Sequence, residues 1–110
     1  MSAKKLWLDD LRPAPPGWIH VKTANDAIEA LMTNEFDEVS LDHDLGWTEE
    51  GDELPSGYVV AQEIEKRART GELKKLSWRL HTASPQGRFR MLLALENAER
   101  AWAAGVGGER

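Results

Sequence analysis

Short strand-like apolar runs alternate with segments of helical periodicity, and this alternation constrains the fold more than any other feature. The strand-like runs span residues 5–10, 18–23, 38–42 and 77–82. The helical segments run from Thr23 to Asn34, from Ser56 or Gly57 to Gly71, and from Ser84 to about Trp102. Each helical segment begins at a residue that can cap a helix, and its apolar residues recur at helical spacing. The alternation predicts an α/β fold, a three-layer sandwich around four mostly parallel strands.

A single domain is expected over residues 1–104, followed by a flexible tail over residues 105–110. Hydrophobic residues make up 41% of the 110, which is typical of a globular protein. No apolar stretch is long enough to span a membrane, and the start carries Lys4, Lys5, Asp9 and Asp10 rather than a secretory signal. Cysteine is absent, so disulfides and thiolate sites are excluded. We therefore expect a cytoplasmic protein without a membrane partner.

The connection between the first two predicted strands leaves their relative direction open. Only about seven residues join them, and Arg12 to Gly17 contains three prolines and a glycine. A parallel crossover normally needs a dozen or more residues. An extended proline-rich segment rises about 3.1 Å per residue, however, and could run back along a short strand. A helix-free parallel crossover and an antiparallel hairpin are both compatible with the sequence.

Charge is divided unevenly along the chain. Residues 1–57 have a net charge of −9 and residues 58–110 a net charge of +4, which gives −5 overall. A duplex-DNA binder would instead show a broad basic face, so no duplex DNA is expected as a partner. The division fits a site where carboxylates hold a cation and arginines face an anion. The alternative is that it only reflects how the solvated faces are distributed.

Polar side chains gather where the predicted strands end. Asp9 and Asp10 follow the first strand, and the run Asp42-His43-Asp44 follows the third. The fourth strand ends in His81 and Thr82, with Ser84 shortly after it. Ligands of open α/β sheets bind outside the carboxyl ends of the strands, so these groups are expected at one edge. Turn formation by the aspartates is the structural alternative.

Several carboxylates at one edge require a compensating charge. Two carboxylates about 4 Å apart repel by roughly 4 kcal/mol at an effective dielectric constant of 20. They must protonate, pair with arginine or bind a cation. Mg²⁺ and Mn²⁺ prefer oxygen ligands, so Asp42 together with Asp9 or Asp10 predicts a site for one of them.

Three further features in this region have both a functional and a structural interpretation. An imidazole group titrates near neutral pH, so His43 and His81 could transfer protons, or each could be a hydrogen-bonded structural residue. The amino end of the last helix, with Arg88 and Arg90, could bind phosphate, or its arginines could simply be solvated. Trp47, in the acidic loop 45–55, could stack on a base or close the loop over the core.

Three of these features resemble the receiver domain of two-component signalling. Asp9-Asp10 is similar to the acidic pair after the first receiver strand, and Asp42 to the phosphoacceptor aspartate. Thr82-Ala83 is similar to the Thr-Ala step after the fourth strand. The chain lacks the first receiver helix and the final strand with its lysine. The resemblance implies a compact receiver-like, flavodoxin-like architecture.

Three longer runs resemble a more specific family, the cyclic-phosphate processing receiver domain. They are Leu6-Trp7-Leu8-Asp9-Asp10-Leu11-Arg12-Pro13, Leu41-Asp42-His43-Asp44-Leu45-Gly46, and His81-Thr82-Ala83-Ser84-Pro85-Gln86-Gly87-Arg88. The resemblance implies that Asp9, Asp10 and Asp42 hold a divalent cation. It implies phosphate binding by Arg12, Arg88 and Thr82, and a catalytic group formed by His43, His81, Asp44 and Ser84.

The sequence therefore predicts an enzyme, a phosphoesterase that depends on Mg²⁺ or Mn²⁺ and opens a cyclic phosphate on a nucleotide or an RNA end. Two alternatives remain open at this stage. One is a non-catalytic sensor or sequestering module for a nucleotide or phosphate. The other is a divergent receiver that is phosphorylated on Asp42. The sequence does not determine the oligomeric state.

Overall fold

A computed structural model describes residues 3–105 of the chain. Four strands and three helices alternate along it. The strands are β1 (Lys5–Leu8), β2 (Trp18–Val21), β3 (Glu38–Leu41) and β4 (Ser77–Leu80). The helices are α1 (Ala24–Thr33), α2 (Gly57–Thr70) and α3 (Pro85–Ala103). Every predicted element is present, and each strand ends one or two residues earlier than the sequence pattern suggested.

The four strands form one sheet in the order β2-β1-β3-β4, and all of its pairs are parallel. The open question about β1 and β2 is thus resolved in favour of the parallel crossover. The crossover, residues 9–17, passes over the face of the sheet that carries Trp7. A hydrogen bond of 3.3 Å from the indole N–H of Trp7 to the carbonyl of Arg12 shows this placement. A proline-rich segment this short can return along a four-residue strand without forming a helix.

The receiver-like α/β fold is confirmed, but the described residues form two layers rather than the expected three. Leu6, Leu8, Val39 and Leu41 point to one face of the sheet, and buried side chains of all three helices join them in a single core. The physical reason lies in the crossovers. Right-handed connections that run in opposite directions across a sheet lie on opposite faces. The β1–β2 connection runs opposite to the β2–β3 and β3–β4 connections. Because it contains no helix, the second face of the sheet has no helix layer.

The second face of the sheet carries aromatic and polar side chains. Trp7 stacks on His81 with ring centroids 3.9 Å apart, and it meets Trp18 edge to face. Lys5 lies over the Trp18 ring, and Arg79 pairs with Glu38. His81 directly follows β4 and stacks on Trp7, so it connects this face with the carboxyl edge of the sheet.

The helix boundaries follow the capping signals in the sequence. Thr23, Ser56 and Ser84 each accept a hydrogen bond from a backbone N–H in the first turn of their helix. Asn34 ends α1, and Gly71 ends α2 in the left-handed conformation that glycine adopts readily. Most of the predicted tail, residues 106–110, lies outside the described residues. Among the helices of residues 3–105, none is long and apolar enough to cross a membrane.

Candidate metal and phosphate site

Three aspartates meet at the carboxyl edge of the two central strands. Each of Asp9, Asp10 and Asp42 offers one carboxylate oxygen, and these oxygens all lie within 4.8 Å of one another. The parallel pairing brings them together, because the strands end in register and the N–H of Asp42 donates to the carbonyl of Leu8 at 3.0 Å. Asp9 and Asp42 are buried, so their negative charge requires a nearby counter-charge.

The Asp9 carboxylate is fully engaged by hydrogen bonds and an ion pair. Its Oδ1 accepts the backbone N–H groups of Leu11 and Arg12 at 2.8 and 2.9 Å. Its Oδ2 lies 3.1 Å from Arg12 Nε and 3.1 Å from His81 Nε2. A carboxylate has about four lone-pair positions, so all of them are occupied at Asp9. Asp9 therefore organises the first loop and fixes two neighbouring side chains.

The two buried carboxyls have opposite pKa shifts. Burial acts to raise the pKa of Asp9, but hydrogen bonds from the N–H groups of Arg12 and Leu11 and the positive charge of Arg12 outweigh it, so this pKa lies below its usual value. Burial raises the pKa of Asp42, and the negative charge of Asp9 adds to the effect. The N–H of His43 and the Arg12 guanidinium, 3.6 Å from Asp42 Oδ2, only partly offset the increase.

His81 is held on both ring nitrogens and on one ring face. Its Nε2 contacts Asp9 Oδ2 at 3.1 Å, its Nδ1 contacts Ser40 Oγ at 2.7 Å, and its ring stacks on Trp7. Burial lowers the pKa of His81, partly opposed by the charges of Asp42 and Asp9. Since the ionised Asp9 carboxylate can only accept, the proton of the neutral ring lies on Nε2, and Ser40 donates to Nδ1. His81 and Asp9 therefore hold each other in place.

His43 lies under the first turn of α3 and pairs with Asp44. Its Nδ1 is 2.8 Å from Asp44 Oδ1, and its side chain is mostly buried. A Cβ atom added to Gly87 would lie 2.3 Å from the His43 ring, so only glycine fits there in the present packing. Across residues 3–105, no hydrogen bond engages Nε2 of His43. This nitrogen thus retains its hydrogen-bonding capacity.

The other predicted site residues form the turn that leads into α3. The N–H of Ser84 donates to Thr82 Oγ1 at 3.1 Å, and Ser84 Oγ accepts the N–H of Gly87 at 3.1 Å. Arg88 donates from Nη1 to the carbonyl of Leu80 at 3.0 Å, which ties its guanidinium to the end of β4. Ser84 is a helix cap in this arrangement, and Arg12 is the arginine that contacts the aspartates.

Two residues that the sequence analysis did not select support the site. Ser40 holds His81, and Nε2 of His20 contacts the backbone carbonyl of Asp9 at 2.7 Å. The sequence does indicate Ser40, because its hydroxyl lies between two apolar residues of a strand. A buried hydroxyl needs a hydrogen-bond partner. The contact of His20 with a backbone carbonyl gives this residue a structural role.

Trp47 projects from the acidic loop into solvent. Its side chain is 67% exposed, and a single bridge to Glu53 pairs the two sides of the loop. Trp47 therefore does not close the loop over the core, which was one of its two interpretations. The core is closed at this point by Leu45, which is buried.

The comparison with protein families agrees with this geometry. The model of the cyclic-phosphate processing receiver domain family matches residues 4–97. The chain belongs to this family. Neither the curated proteins nor the solved structures contain a significant match to the chain. The resemblance inferred from the three sequence runs is therefore confirmed.

Membership of the cyclic-phosphate processing receiver domain family connects the site with cyclic-phosphate processing. The matched segment includes the three aspartates, Arg12 and both histidines discussed above. The chemistry of the acidic cluster fits a divalent cation, because hard cations prefer carboxylate oxygens and two of these carboxylates are buried. The cluster could therefore hold Mg²⁺ or Mn²⁺.

Proposed function

We propose that the protein is a divalent-metal-dependent phosphoesterase that opens a cyclic phosphate on a nucleotide or an RNA end. The observation that carries the proposal is the meeting of Asp9, Asp10 and Asp42 within 4.8 Å at the edge of the sheet. It is supported by the family, whose name refers to cyclic-phosphate processing.

Asp10 and Asp42 are the residues that would hold the cation directly. Asp10 makes no hydrogen bond within residues 3–105, and Asp42 uses Oδ1 to accept the N–H of His43 at 2.8 Å. Both therefore retain lone pairs, whereas Asp9 would have to release a partner. When bound, Mg²⁺ or Mn²⁺ would offset charge on a phosphoryl oxygen and favour attack by water. Asp9 orients Arg12 and His81 around that position.

Arg12 and His43 supply the remaining functions. The Arg12 guanidinium, half exposed beside the aspartates, can turn one N–H edge to the phosphate. In the proposed reaction the water oxygen bonds to phosphorus, and one of the two ester P–O bonds in the ring of the cyclic phosphate breaks. Nε2 of His43 takes a proton from the water and returns it to the leaving oxygen, while Asp44 fixes the ring through Nδ1. One water is consumed, and a phosphate monoester is formed.

The test is end-group analysis of a short RNA that carries a 2′,3′-cyclic phosphate. The protein is incubated with this RNA in Mg²⁺ or Mn²⁺ and then with EDTA. We expect metal-dependent opening, and the position of the remaining phosphate identifies the P–O bond that breaks. Asp10→Asn and Asp42→Asn should reduce turnover by at least 100-fold, a loss typical of removing one preorganised electrostatic group.

Asp52→Asn is the matched control, because Asp52 lies in the acidic loop outside the cluster. It makes the same chemical change and should leave turnover intact. Opening that survives EDTA, or survives both cluster substitutions in folded protein, would contradict the proposal. RNA retention without opening would instead support the sensor alternative.

A further inference from the structure

A cavity of about 320 Å³ lies between the amino end of α1 and the acidic loop. Leu45, Leu54 and Pro55 line it from the loop, and Thr23, Ala24, Asn25 and Asp26 line it from the start of α1. Hydrogen bonds fix the loop wall, since the N–H of Leu54 donates to the carbonyl of Gly46 at 3.0 Å. A second bond, from the N–H of Thr48 to the carbonyl of Asp52 at 2.7 Å, closes the loop beyond it.

The cavity adjoins the acidic cluster. Gly46 has a φ of +104°, and a Cβ built there would lie 3.3 Å from Asp10 Oδ2 and 3.6 Å from Leu54 Cδ1. One glycine thus separates an apolar wall of the cavity from a carboxylate of the candidate metal site. A molecule whose phosphate lies at the aspartates can place an adjoining group in the cavity.

The lining suits a flat group with apolar faces and a polar edge. Leu54, Pro55 and Ala24 provide apolar surface, whereas Asn25 and Asp26 are exposed and offer an amide and a carboxylate at the rim. The volume is at the lower end of the range for small-molecule sites. It therefore admits a group of nucleobase size and excludes a large one.

Charge indicates which part of a nucleotide belongs in the cavity. Residues 44–55 contain five carboxylates and no lysine or arginine, so phosphate is repelled from this loop. A neutral heterocycle meets no such repulsion, and its ring nitrogens and exocyclic groups can pair with an amide and a carboxylate.

We propose that this cavity binds the base of the substrate nucleotide. The inference rests on the proposed function, since it assigns the phosphate of the same molecule to the aspartate cluster. It makes the substrate a nucleoside or terminal nucleotide rather than a cyclic phosphate without a base. Asn25 and Asp26 contact the edge of the base, and Leu54 and Pro55 contact its face.

Four variants test the assignment, and one of them, Trp47→Ala, removes the exposed indole of the acidic loop. Asn25→Trp fills the mouth of the cavity, and Asp26→Ala removes the carboxylate. Gln62→Trp is the matched control, because it places the same indole on an exposed position of α2 away from the cavity. Affinity is measured by calorimetry with adenosine and guanosine 3′-monophosphates, which have no cyclic phosphate to open, and with ribose 3-phosphate, which lacks the base. Thermal melts establish that each variant is folded.

Nucleotides should bind the unaltered protein at least tenfold more tightly than ribose 3-phosphate. Asn25→Trp should remove that difference, Asp26→Ala should reduce it several-fold, and Gln62→Trp should preserve it. Equal affinities for the nucleotides and for ribose 3-phosphate would overturn the assignment, as would an unchanged difference in Asn25→Trp. Loss of the difference in Trp47→Ala but not in Asn25→Trp would move the base to the exposed indole and overturn it too.

Each of the two proposals can be rejected while the other is retained. Nucleotide binding that depends on the cavity, in a protein that opens no cyclic phosphate, would retain the base site and reject the phosphoesterase. Metal-dependent opening with no preference for a base would retain the phosphoesterase and reject the base site.

Discussion

At the scale of the residue, His81 illustrates how neighbours determine the use of an imidazole. From the sequence, His81 and His43 were both candidates for proton transfer. In the structure, Ser40 and Asp9 engage both nitrogens of His81, whereas His43 uses only Nδ1, toward Asp44. Within residues 3–105 the contacts thus leave Nε2 of His43 without a hydrogen bond, and they leave neither nitrogen of His81 in that state.

The lowered pKa of His81 predicts a pH dependence of stability. Between the folded pKa and the unfolded value of 6.5, the unfolded state binds more protons. The free energy of unfolding should therefore fall as pH drops below about 6.5. His81→Gln removes this titration and should show a smaller loss between pH 7 and pH 5.5, measured by urea unfolding. An equal loss in both proteins would contradict the prediction.

The contact between Gly87 and His43 predicts a cost for any side chain at position 87. A Cβ there would lie 2.3 Å from the His43 ring, so the helix or the ring must move. Gly87→Ala should lower the free energy of unfolding by about 1–3 kcal/mol, the usual range for overpacking. Gln86→Ala, at the exposed position before it, is the control and should change it little. Chemical denaturation of both variants measures the difference.

At the scale of the element, Ser84 and Ser56 allow a matched test of helix capping. Each hydroxyl accepts a backbone N–H in the first turn of its helix, at 3.1 Å in α3 and 3.2 Å in α2. Replacing either serine with alanine should lower the free energy of unfolding by about 1 kcal/mol. Similar losses in urea titrations would show that Ser84 contributes to stability mainly as a cap. A loss several times larger for Ser84 would indicate an additional structural role.

At the scale of the whole molecule, the acidic cluster should couple cation binding to stability. A ligand that binds only the folded state adds about 2.7 kcal/mol when its concentration is 100 times the Kd. Mg²⁺ should therefore raise the Tm of the unaltered protein. Asp10→Asn should greatly reduce this increase, and Asp52→Asn should retain it. An increase of equal size in all three proteins would mean that Mg²⁺ acts elsewhere.

The sequence predicted the elements and the edge at which the site forms. Alternating runs, the capping residues Thr23, Ser56 and Ser84, and the aspartates after β1 and β3 are local features. Residues near in sequence control them through backbone preference and hydrogen bonding, so a linear pattern records them. Family membership followed from the same local motifs.

Tertiary structure decided the direction of β2, the number of layers and the separate environments of the two histidines. These depend on contacts across long sequence separations, such as the separation of 72 positions between Asp9 and His81. The cavity beside Asp10 likewise needs α1 and the acidic loop to meet. Local pattern thus determined which residues reach the edge, whereas packing determined which of their lone pairs and protons remain available.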